Sequence, residues 1–429
     1  MGHLLGIDIG SSSIKASLLS AETGKAVAAA TSPAGRELEI AAPQPGWAEQ
    51  RPETWWEHVK DAVARIRAQS GRALDGLEAI GITYQMHGLV LVDAERRPLR
   101  PAIIWCDSRA VGIGERAFAA LGEEVCLRRF LNSPGNFTAS KLRWVMENEP
   151  ELYRQVYKAM LPGDYVAMRL TGEIRTTSSG LSEGILWDYQ DQAPARLVLE
   201  HYGIDPALLP DLVPVFGVQG ELTREAAAEL GLRPGIKVAY RAGDQPNNAF
   251  SLNVLEPGEL AATAGTSGVV YGVTDKAAYD RRSRVNTFVH VNHEPAAPRH
   301  GVLLCVNGTG ILNRWLKENA AGGLGYAEMN ELAAGAPAGA GGLLVLPYGN
   351  GAERTLDNKN PGASLHGLDL NLHTKAHLLR AAQEGVVFAL RYGLDIMGGM
   401  GIGACVVRAG YANMFLSPLF TSVFASVTG

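Results

Sequence analysis

The chain has 429 residues, a formal net charge of −5, 46% hydrophobic residues and 19% charged residues. This length predicts about two or three domains, each large enough for a core, and the acidic balance argues against partners such as nucleic acid or membrane lipid. Four widely separated cysteines, no leader-like N-terminus and no apolar run of membrane-spanning length predict a reduced, cytoplasmic protein without disulfides or structural zinc.

The first twenty residues predict a strand, a turn of small residues and a returning strand. Leu4 to Ile9 form an apolar run, Gly10 to Ser13 supply the turn, and 14–19 run back. Asp8 lies inside the first strand, where a carboxylate is costly without a cationic or hydrogen-bonding partner. Backbone N–H groups of the turn can face an anion, so the pattern suggests a metal and a phosphate. A plain hairpin with a surface aspartate is the alternative.

The rest of the first half predicts a third strand at 25–31, a helix after Pro52, and a further strand at 76–83. The spacing of Trp56, Val59, Val63 and Ile66 predicts the core-facing side of that helix.

Met86 and His87 follow the strand at 76–83 and offer an apolar contact plus a polar tip, which suits a small polyol. A buried structural histidine is the alternative. Residues 110–236 predict a mostly helical and irregular elaboration, within which the Ser-, Thr- and Gly-rich segment 175–188 predicts a loop.

A second pattern begins near residue 237 with a strand at 236–240. Asp244 follows that strand and precedes a helix, the position of active-site residues in α/β proteins. Its carboxylate could accept a proton from a substrate hydroxyl that attacks phosphorus. A helix N-cap is the alternative, since aspartate is a favoured cap.

Residues 260–273 then repeat the opening pattern, with Gly265 to Gly268 at the turn. This echo suggests two related halves, unless two Gly/Ser turns coincide by chance. Backbone N–H groups of the two turns could hold a phosphate chain from both sides, with Lys15 or the hydroxyl groups assisting.

Taken together, the chain resembles the FGGY family of carbohydrate kinases, within the wider actin and hexokinase-like ATPase superfamily. Ordered matches run along essentially the whole chain. They comprise Trp47-Ala48-Glu49-Gln50, Trp55-Trp56, Gln85-Met86-His87-Gly88, Arg100 to Trp105, Leu161-Pro162 with Asp164-Tyr165, Gly265-Thr266-Ser267-Gly268, and Leu346-Pro347-Tyr348 with Glu353-Arg354-Thr355.

The resemblance implies an α/β fold of two actin/hexokinase-like (ribonuclease H-like) domains. Each is expected to have a mixed five-stranded sheet flanked by helices, with the active site in the interdomain cleft. Residues 1–243 would be the sugar-binding N-terminal domain with the first phosphate hairpin. Residues 244–429 would be the nucleotide-binding C-terminal domain.

The implied activity is ATP-dependent phosphorylation of a pentulose, D-xylulose, to its 5-phosphate, because the Gln-Met-His-Gly run is typical of relatives that use xylulose. Asp244 would be the general base for the C5 hydroxyl. The sugar would be contacted by a set drawn from three segments: Gln85, Met86 and His87, then Asn136 and Phe137, then Asp244 and Gln245.

The implied cofactors are ATP and Mg²⁺, with Asp8 holding the metal. The nucleotide would be bound by the two turns, Lys15 and residues around the nucleoside: Gly10, Ser11, Ser12, Lys15, Gly265, Thr266, Gly310, Gly410 and Asn413. Dimers are common among similar kinases, so a homodimer is also expected.

Relative to that family, the C-terminal domain is expected to be truncated, with weaker ATP binding as the consequence. Two other functions stay open: a family kinase acting on another ketose, a polyol or a sugar acid, and a catalytically weak sugar- or nucleotide-binding protein.

Overall fold

The computed structural model describes residues 2–351, 353–356, 359 and 361–429. The chain divides into two compact units. The first combines Met1–Asn247 with Val289–Pro295, and the second combines Asn248–Phe288 with Ala296–Gly429. Each unit contains a mixed sheet with helices, as the predicted fold class requires. Over the described residues, no helix has both the length and the apolar character needed to cross a membrane.

The first unit is organised around a six-stranded sheet of order β13-β14-β5-β1-β2-β3. The strands of this unit are β1 (His3–Ile9), β2 (Ile14–Ser20), β3 (Ala26–Ser32), β4 (Glu49–Gln50), β5 (Leu77–Tyr84), β6 (Val90–Val92), β7 (Ala102–Ile103), β8 (Lys158–Met160), β9 (Arg175–Thr176), β10 (Trp187–Asp188), β11 (Ala193–Pro194), β12 (Asp211–Leu212), β13 (Phe216–Glu221) and β14 (Lys237–Gly243). The sheet has one strand more than predicted because β13 pairs antiparallel with the outer edge of β14.

Strands β1, β5 and β14 are parallel neighbours, and their register aligns their carboxyl ends. Ile9 lies opposite Tyr84, and Tyr84 lies opposite Gly243. The residues that follow these three strands therefore emerge side by side at one edge of the sheet, where α/β proteins place their ligands.

The helices of this part of the chain pack on the sheet or on one another. They are α1 (Pro52–Ser70), α2 (Val111–Leu121), α3 (Glu123–Phe130), α4 (Thr138–Asn148), α5 (Pro150–Tyr153), α6 (Pro162–Thr171), α7 (Ser178–Glu183), α8 (Arg196–Tyr202), α9 (Arg224–Leu230) and α10 (Asp244–Ser251). Helix α1 packs on β2 and β3, and the predicted apolar side of α1 is buried, as are the inward-facing residues Leu5, Ile7 and Ile9 of β1.

The prediction of a loop at 175–188 was wrong. The segment contains β9, α7 and β10. Thr177 caps α7 by accepting a hydrogen bond from the backbone N–H of Gly180. A Ser-, Thr- and Gly-rich composition favours turns in isolation, but nearly all of α7 is buried, and burial of the helix within the unit overrides that preference.

The second unit has a five-stranded sheet of order β17-β18-β16-β15-β21. The strands of this half are β15 (Glu259–Ala264), β16 (Gly268–Thr274), β17 (Asn286–Val289), β18 (His300–Val306), β19 (Leu344–Tyr348), β20 (Gly362–His366) and β21 (Val406–Ala409). An antiparallel β15-β16-β18 meander with β21 parallel to β15 repeats the arrangement of β1, β2, β3 and β5. The strand–turn–strand repeat predicted from the sequence therefore corresponds to a repeated sheet topology.

Over the described residues, the helices of the second half are α11 (Gly310–Asn319), α12 (Tyr326–Ala334), α13 (Lys375–Gly399) and α14 (Pro418–Thr428). Helix α13 runs through a separate apolar core that includes Val386, Leu390 and Leu304. Short 3₁₀ turns complete the described chain at Gly71–Gly76, Pro206–Leu208, Ala340–Gly342, Glu353–Leu356 and Asn413–Leu416.

Candidate functional site

The aligned ends of β1, β5 and β14 bring several predicted site residues together within the first unit. Gly10 follows β1, Gln85 follows β5 and Asp244 follows β14. The backbone N–H of Gln85 donates to the Ile9 carbonyl at 2.9 Å, so the parallel pairing extends into the site. Residues more than 230 positions apart in the chain thus share one sheet edge.

Asp8 and Lys15 face each other across the β1–β2 hairpin. They are register partners, and Lys15 Nζ lies 3.3 Å from the Asp8 carboxylate. Burial raises the pKa of Asp8, and the charge of Lys15 opposes that rise. The Asp8 side chain keeps 29% of its surface exposed, so its carboxylate remains available to a ligand.

The turn between these strands is tight. The Gly10 N–H donates to the Ser13 carbonyl at 3.2 Å, and a Cβ at Gly10 would lie 2.8 Å from that same oxygen. A side chain at this position would therefore disturb the turn.

Asp244 opens helix α10 directly after β14. Burial raises its pKa to about 7, with a further contribution from the negative charge of Asp8, whereas the backbone N–H of Gln245 acts in the opposite direction. Asp244 is itself the first residue of α10, whereas an N-cap residue precedes the helix and accepts from the N2 or N3 N–H. A carboxyl group that titrates near neutral pH is suited to general base catalysis.

His87 is held in an unusual backbone conformation beside these acids. Its φ is +61°, and its Nδ1 lies 2.9 Å from the Glu183 carbonyl oxygen. Because a carbonyl oxygen only accepts, Nδ1 carries a proton. Phe137 packs edge-on against the imidazole, with 4.8 Å between ring centroids.

The side-chain nitrogens of Gln85 and Asn136 donate to other parts of the protein, whereas their buried side-chain oxygens have no hydrogen-bond partner among the described residues. Gln85 is 3% exposed, and its side-chain amide donates to Gln50, which in turn donates to the Ser11 carbonyl at 2.7 Å. The Asn136 amide donates to the Asp107 carbonyl. Through these bonds Gln85 is linked to the turn at Ser11, and Asn136 holds the segment at Asp107 next to residues predicted to contact the sugar.

Two buried charged residues at this site escaped the sequence reasoning. The Glu183 carboxyl contacts the residue before Asp244, since a Cβ at Gly243 would lie 2.6 Å from Glu183 Oε2. Burial raises the pKa of Glu183 well above its usual value. Lys141 is fully buried on α4. The loop prediction for 175–188 hid Glu183, and a lysine inside a helical pattern carries no sequence signal of burial.

The second unit holds the other predicted turn against the start of α11. The N–H of Gly310 donates to the Gly265 carbonyl at 2.8 Å, and a Cβ at Gly310 would lie 2.3 Å from that oxygen. Asn413 adopts φ +54°, and its side-chain nitrogen would lie 3.4 Å from a Cβ at Gly265. Only a glycine at position 310 allows this approach.

A cavity of about 400 Å³ opens at this turn, within the second unit. Gly265, Thr266, Gly310 and Asn413 line it, whereas Gly410 is not among its lining residues. Apolar and amide side chains accompany backbone donors there, a composition typical of pockets for small organic ligands.

The Asp8 carboxylate could hold a magnesium ion only together with water or the phosphates of a bound nucleotide. Among the described residues, no group of three or more His, Cys, Asp or Glu side chains could enclose a metal. Mg²⁺ is commonly held by one or two carboxylates together with water and substrate phosphates. The partly exposed Asp8 carboxylate, beside the turn predicted to bind phosphate, matches that arrangement.

Comparison with known proteins finds a family model that matches each of the two parts of the chain. The N-terminal domain model of the FGGY family of carbohydrate kinases matches residues 3–251, and its C-terminal domain model matches residues 260–416. The xylulose kinase of Escherichia coli K12 is 34% identical over 406 residues, which cover 93% of this chain and 79% of that protein.

Two further relatives are similar in extent. The xylulose kinase of Bacillus subtilis 168 is 30% identical over 399 residues, covering 92% of this chain and 77% of that protein. The crystal structure of xylulose kinase from Rhodospirillum rubrum superposes with a TM-score of 0.88 at 28% identity, covering 99% of this chain and 85% of that one.

Proposed function

Since this chain belongs to the FGGY family of carbohydrate kinases, we propose that it transfers the γ-phosphate of ATP to D-xylulose and releases D-xylulose 5-phosphate and ADP. The observation that carries the proposal is the alignment of strand ends in the first unit. That alignment places Asp244, whose pKa is about 7, at the same sheet edge as Met86 and His87. The substrate is taken from the similarity to two xylulose kinases at 30% and 34% identity.

In the proposed reaction, Asp244 accepts the proton of the C5 hydroxyl as that oxygen attacks the γ-phosphorus. A new O–P bond forms, and the bond from the γ-phosphorus to the β–γ bridging oxygen breaks, with its electron pair leaving on ADP. General base catalysis of this kind contributes about 10²–10⁴-fold to a rate. The proton on Asp244 then passes to solvent.

His87 and Met86 orient the sugar. The polar imidazole of His87 suits a hydroxyl group, and Met86, 4% exposed, supplies an apolar surface beside it. Phe137 fixes the imidazole plane through its edge-on contact. Gln245, on the first turn of α10, is the remaining proposed sugar contact.

The nucleotide is proposed to bind through backbone N–H groups of the turns at Gly10–Ser12 and Gly265–Thr266. Lys15 would contact a phosphate, and Gly310, Gly410 and Asn413 would surround the nucleoside. Asp8 would hold Mg²⁺, which neutralises charge on the phosphate oxygens when bound. The 400 Å³ cavity of the second unit supports the assignment of Gly310 and Asn413 to the nucleoside, because both residues line it.

A substrate screen tests the proposal. ADP release is measured with D-xylulose, L-xylulose, ribulose, fuculose, gluconate and glycerol, and the product is identified by NMR. The expected result is the highest kcat/KM for D-xylulose, with phosphate on C5. A higher kcat/KM for another sugar, polyol or sugar acid would mean that this compound, and not D-xylulose, is the substrate. Binding of D-xylulose without turnover would favour a sugar-binding protein. The proposed homodimer is tested by sedimentation velocity.

A further inference from the structure

Lys141 is a fully buried lysine whose described hydrogen bonds go to carbonyl oxygens from two different segments. Its Nζ donates to the His87 carbonyl at 2.8 Å and to the Ile104 carbonyl at 2.9 Å. The side chain has no exposed surface. The nearby carboxylate of Asp107 is bound by the Arg109 guanidinium, and Lys141 forms no ion pair within 4 Å with the residues that the structure describes.

Burial of this ammonium group is costly for the fold. A buried charge without an opposite charge in contact destabilises the folded state by several kcal/mol, and burial lowers the pKa of Lys141 to about 7. A methionine would fill similar space without that cost. The folding of α4 by itself therefore gives no reason for a lysine here.

The two carbonyl groups belong to segments that border the sugar site. His87 adopts a left-handed conformation, which costs a non-glycine residue about 1–2 kcal/mol. Thr138, three residues before Lys141 on α4, donates to the next carbonyl, that of Gly88, at 3.3 Å. One side of α4 thus holds the two consecutive carbonyls of His87 and Gly88.

The second carbonyl belongs to Ile104, which follows the short strand β7 and precedes Trp105. The indole N–H of Trp105 donates to Ser11 Oγ in the first turn at 3.3 Å. By holding the Ile104 carbonyl, the ammonium group of Lys141 therefore also fixes the backbone next to Trp105.

We infer that Lys141 is a positioning residue for sugar recognition, whose ammonium group fixes the His87 and Ile104 carbonyls and thereby presents the His87 imidazole to the sugar. This inference rests on the proposed function for the identity of the sugar. The placement of His87 is independent of that identity.

The first experiment measures sugar and nucleotide affinity in Lys141→Met. Loss of hydrogen bonds from a charged donor is worth about 1.5–3 kcal/mol, so KM for D-xylulose should rise by about tenfold or more. KM for ATP should change by less than about twofold, because the nucleotide cavity lies in the second unit. Equal increases in both KM values, or none, would overturn the inference.

A control substitution on the same helix distinguishes a positioning role of Lys141 from a general loosening of α4. Leu142 is 1% exposed and adjacent in sequence, and Leu142→Ala should cost about 2–5 kcal/mol of stability while leaving KM for D-xylulose within about twofold. An equal rise of KM in Leu142→Ala would mean that KM reports general loosening of α4, against the inference.

A double-mutant cycle tests whether Lys141 acts through His87. In a His87→Ala background, Lys141→Met should change KM for D-xylulose by less than about twofold, because the positioned group is already absent. Full additivity of the two effects contradicts the inference. Should Lys141→Met not fold, Lys141→Leu, which likewise lacks an N–H donor, is measured in its place with the same criteria.

A second readout requires no activity. With ¹⁵N-labelled histidine, the Nδ1–H of His87 should exchange slowly with solvent in the unmodified chain, because it is bonded to the Glu183 carbonyl. In Lys141→Met, or in Lys141→Leu, exchange should be at least about tenfold faster. Unchanged exchange overturns the inference, whereas failure of the unmodified chain to phosphorylate D-xylulose overturns the proposed substrate alone.

Discussion

At the scale of single residues, surroundings decide what each acid can do. Asp8 and Asp244 are the same residue type, and both were singled out from the sequence. Asp8 has a lysine directly across the hairpin, whereas Asp244 has no ion pair among the described residues and a pKa raised to about 7. The first is therefore suited to hold a cation and the second to exchange a proton.

We predict that Asp244→Asn lowers kcat for D-xylulose by about 10²–10⁴-fold, because an amide cannot accept the hydroxyl proton. ATP binding measured by calorimetry should stay within about twofold. The matched control is Asp395→Asn, the same change at an exposed ion pair with Arg391, which should leave kcat unaltered. Normal turnover by Asp244→Asn refutes the base assignment.

The pH dependence of the reaction follows from the same residue. The pKa of Asp244, about 7 in the ligand-free protein, means that the carboxyl is protonated and inactive as a base at lower pH. We predict that kcat/KM for D-xylulose falls about tenfold per pH unit below that pKa. A pH–rate profile that stays flat down to pH about 5 would contradict this.

Lys141 predicts an effect of pH on stability. Its pKa is about 7 when folded and about 10.4 when unfolded, so the unfolded chain binds more protons between these values. Stability therefore rises with pH across that window, by up to about 1.4 kcal/mol per unit. In urea titrations at pH 7 to 9, the unmodified chain should gain stability relative to Lys141→Met, and parallel stability curves would rule out a depressed pKa.

At the scale of elements, glycines set how closely backbone segments approach. The second turn and helix α11 meet through the Gly310 N–H and the Gly265 carbonyl. We predict that Gly310→Ala, whose methyl group would lie 2.3 Å from that carbonyl oxygen, shifts the turn and raises KM for ATP by about tenfold. KM for D-xylulose should change little.

Gly398→Ala is the matched control for this prediction. Gly398 lies in α13 of the same unit, and a Cβ there meets nothing within 4 Å. Alanine at this position should stabilise the helix by up to about 1 kcal/mol and leave KM for ATP unaltered. Similar nucleotide affinity in both variants would remove the proposed role of the Gly310 contact.

The elements also show where sequence reasoning succeeds. Strands β1, β2, β15 and β16 were predicted within one residue at each end, because buried strands carry continuous or alternating apolar patterns. Helix α7 was missed, because the apolar surface that buries it comes from distant parts of the unit. Local composition contains no record of such contacts.

At the scale of the whole molecule, each unit has its own apolar core. Ile80 belongs to the core of the first unit and Leu304 to that of the second, each 1% exposed. We predict that Ile80→Ala and Leu304→Ala each cost about 2–5 kcal/mol, with hydrogen-exchange protection lost chiefly in the substituted unit. Leu370→Ala, at a side chain 87% exposed, is the control. Uniform loss of protection over both units would show that they unfold as one.

The sequence by itself determined the two repeated hairpins, the positions of Asp8, Asp244, Met86 and His87, and the family, because these depend on local patterns and ordered motifs. Only the tertiary structure decided that the ends of β1, β5 and β14 lie in one row, since register is a property of paired strands. It also decided which charges are buried: Glu183 and Lys141 look like ordinary surface residues in the sequence. Burial depends on segments far along the chain, and it is burial that places the pKa of Asp244 near neutral pH.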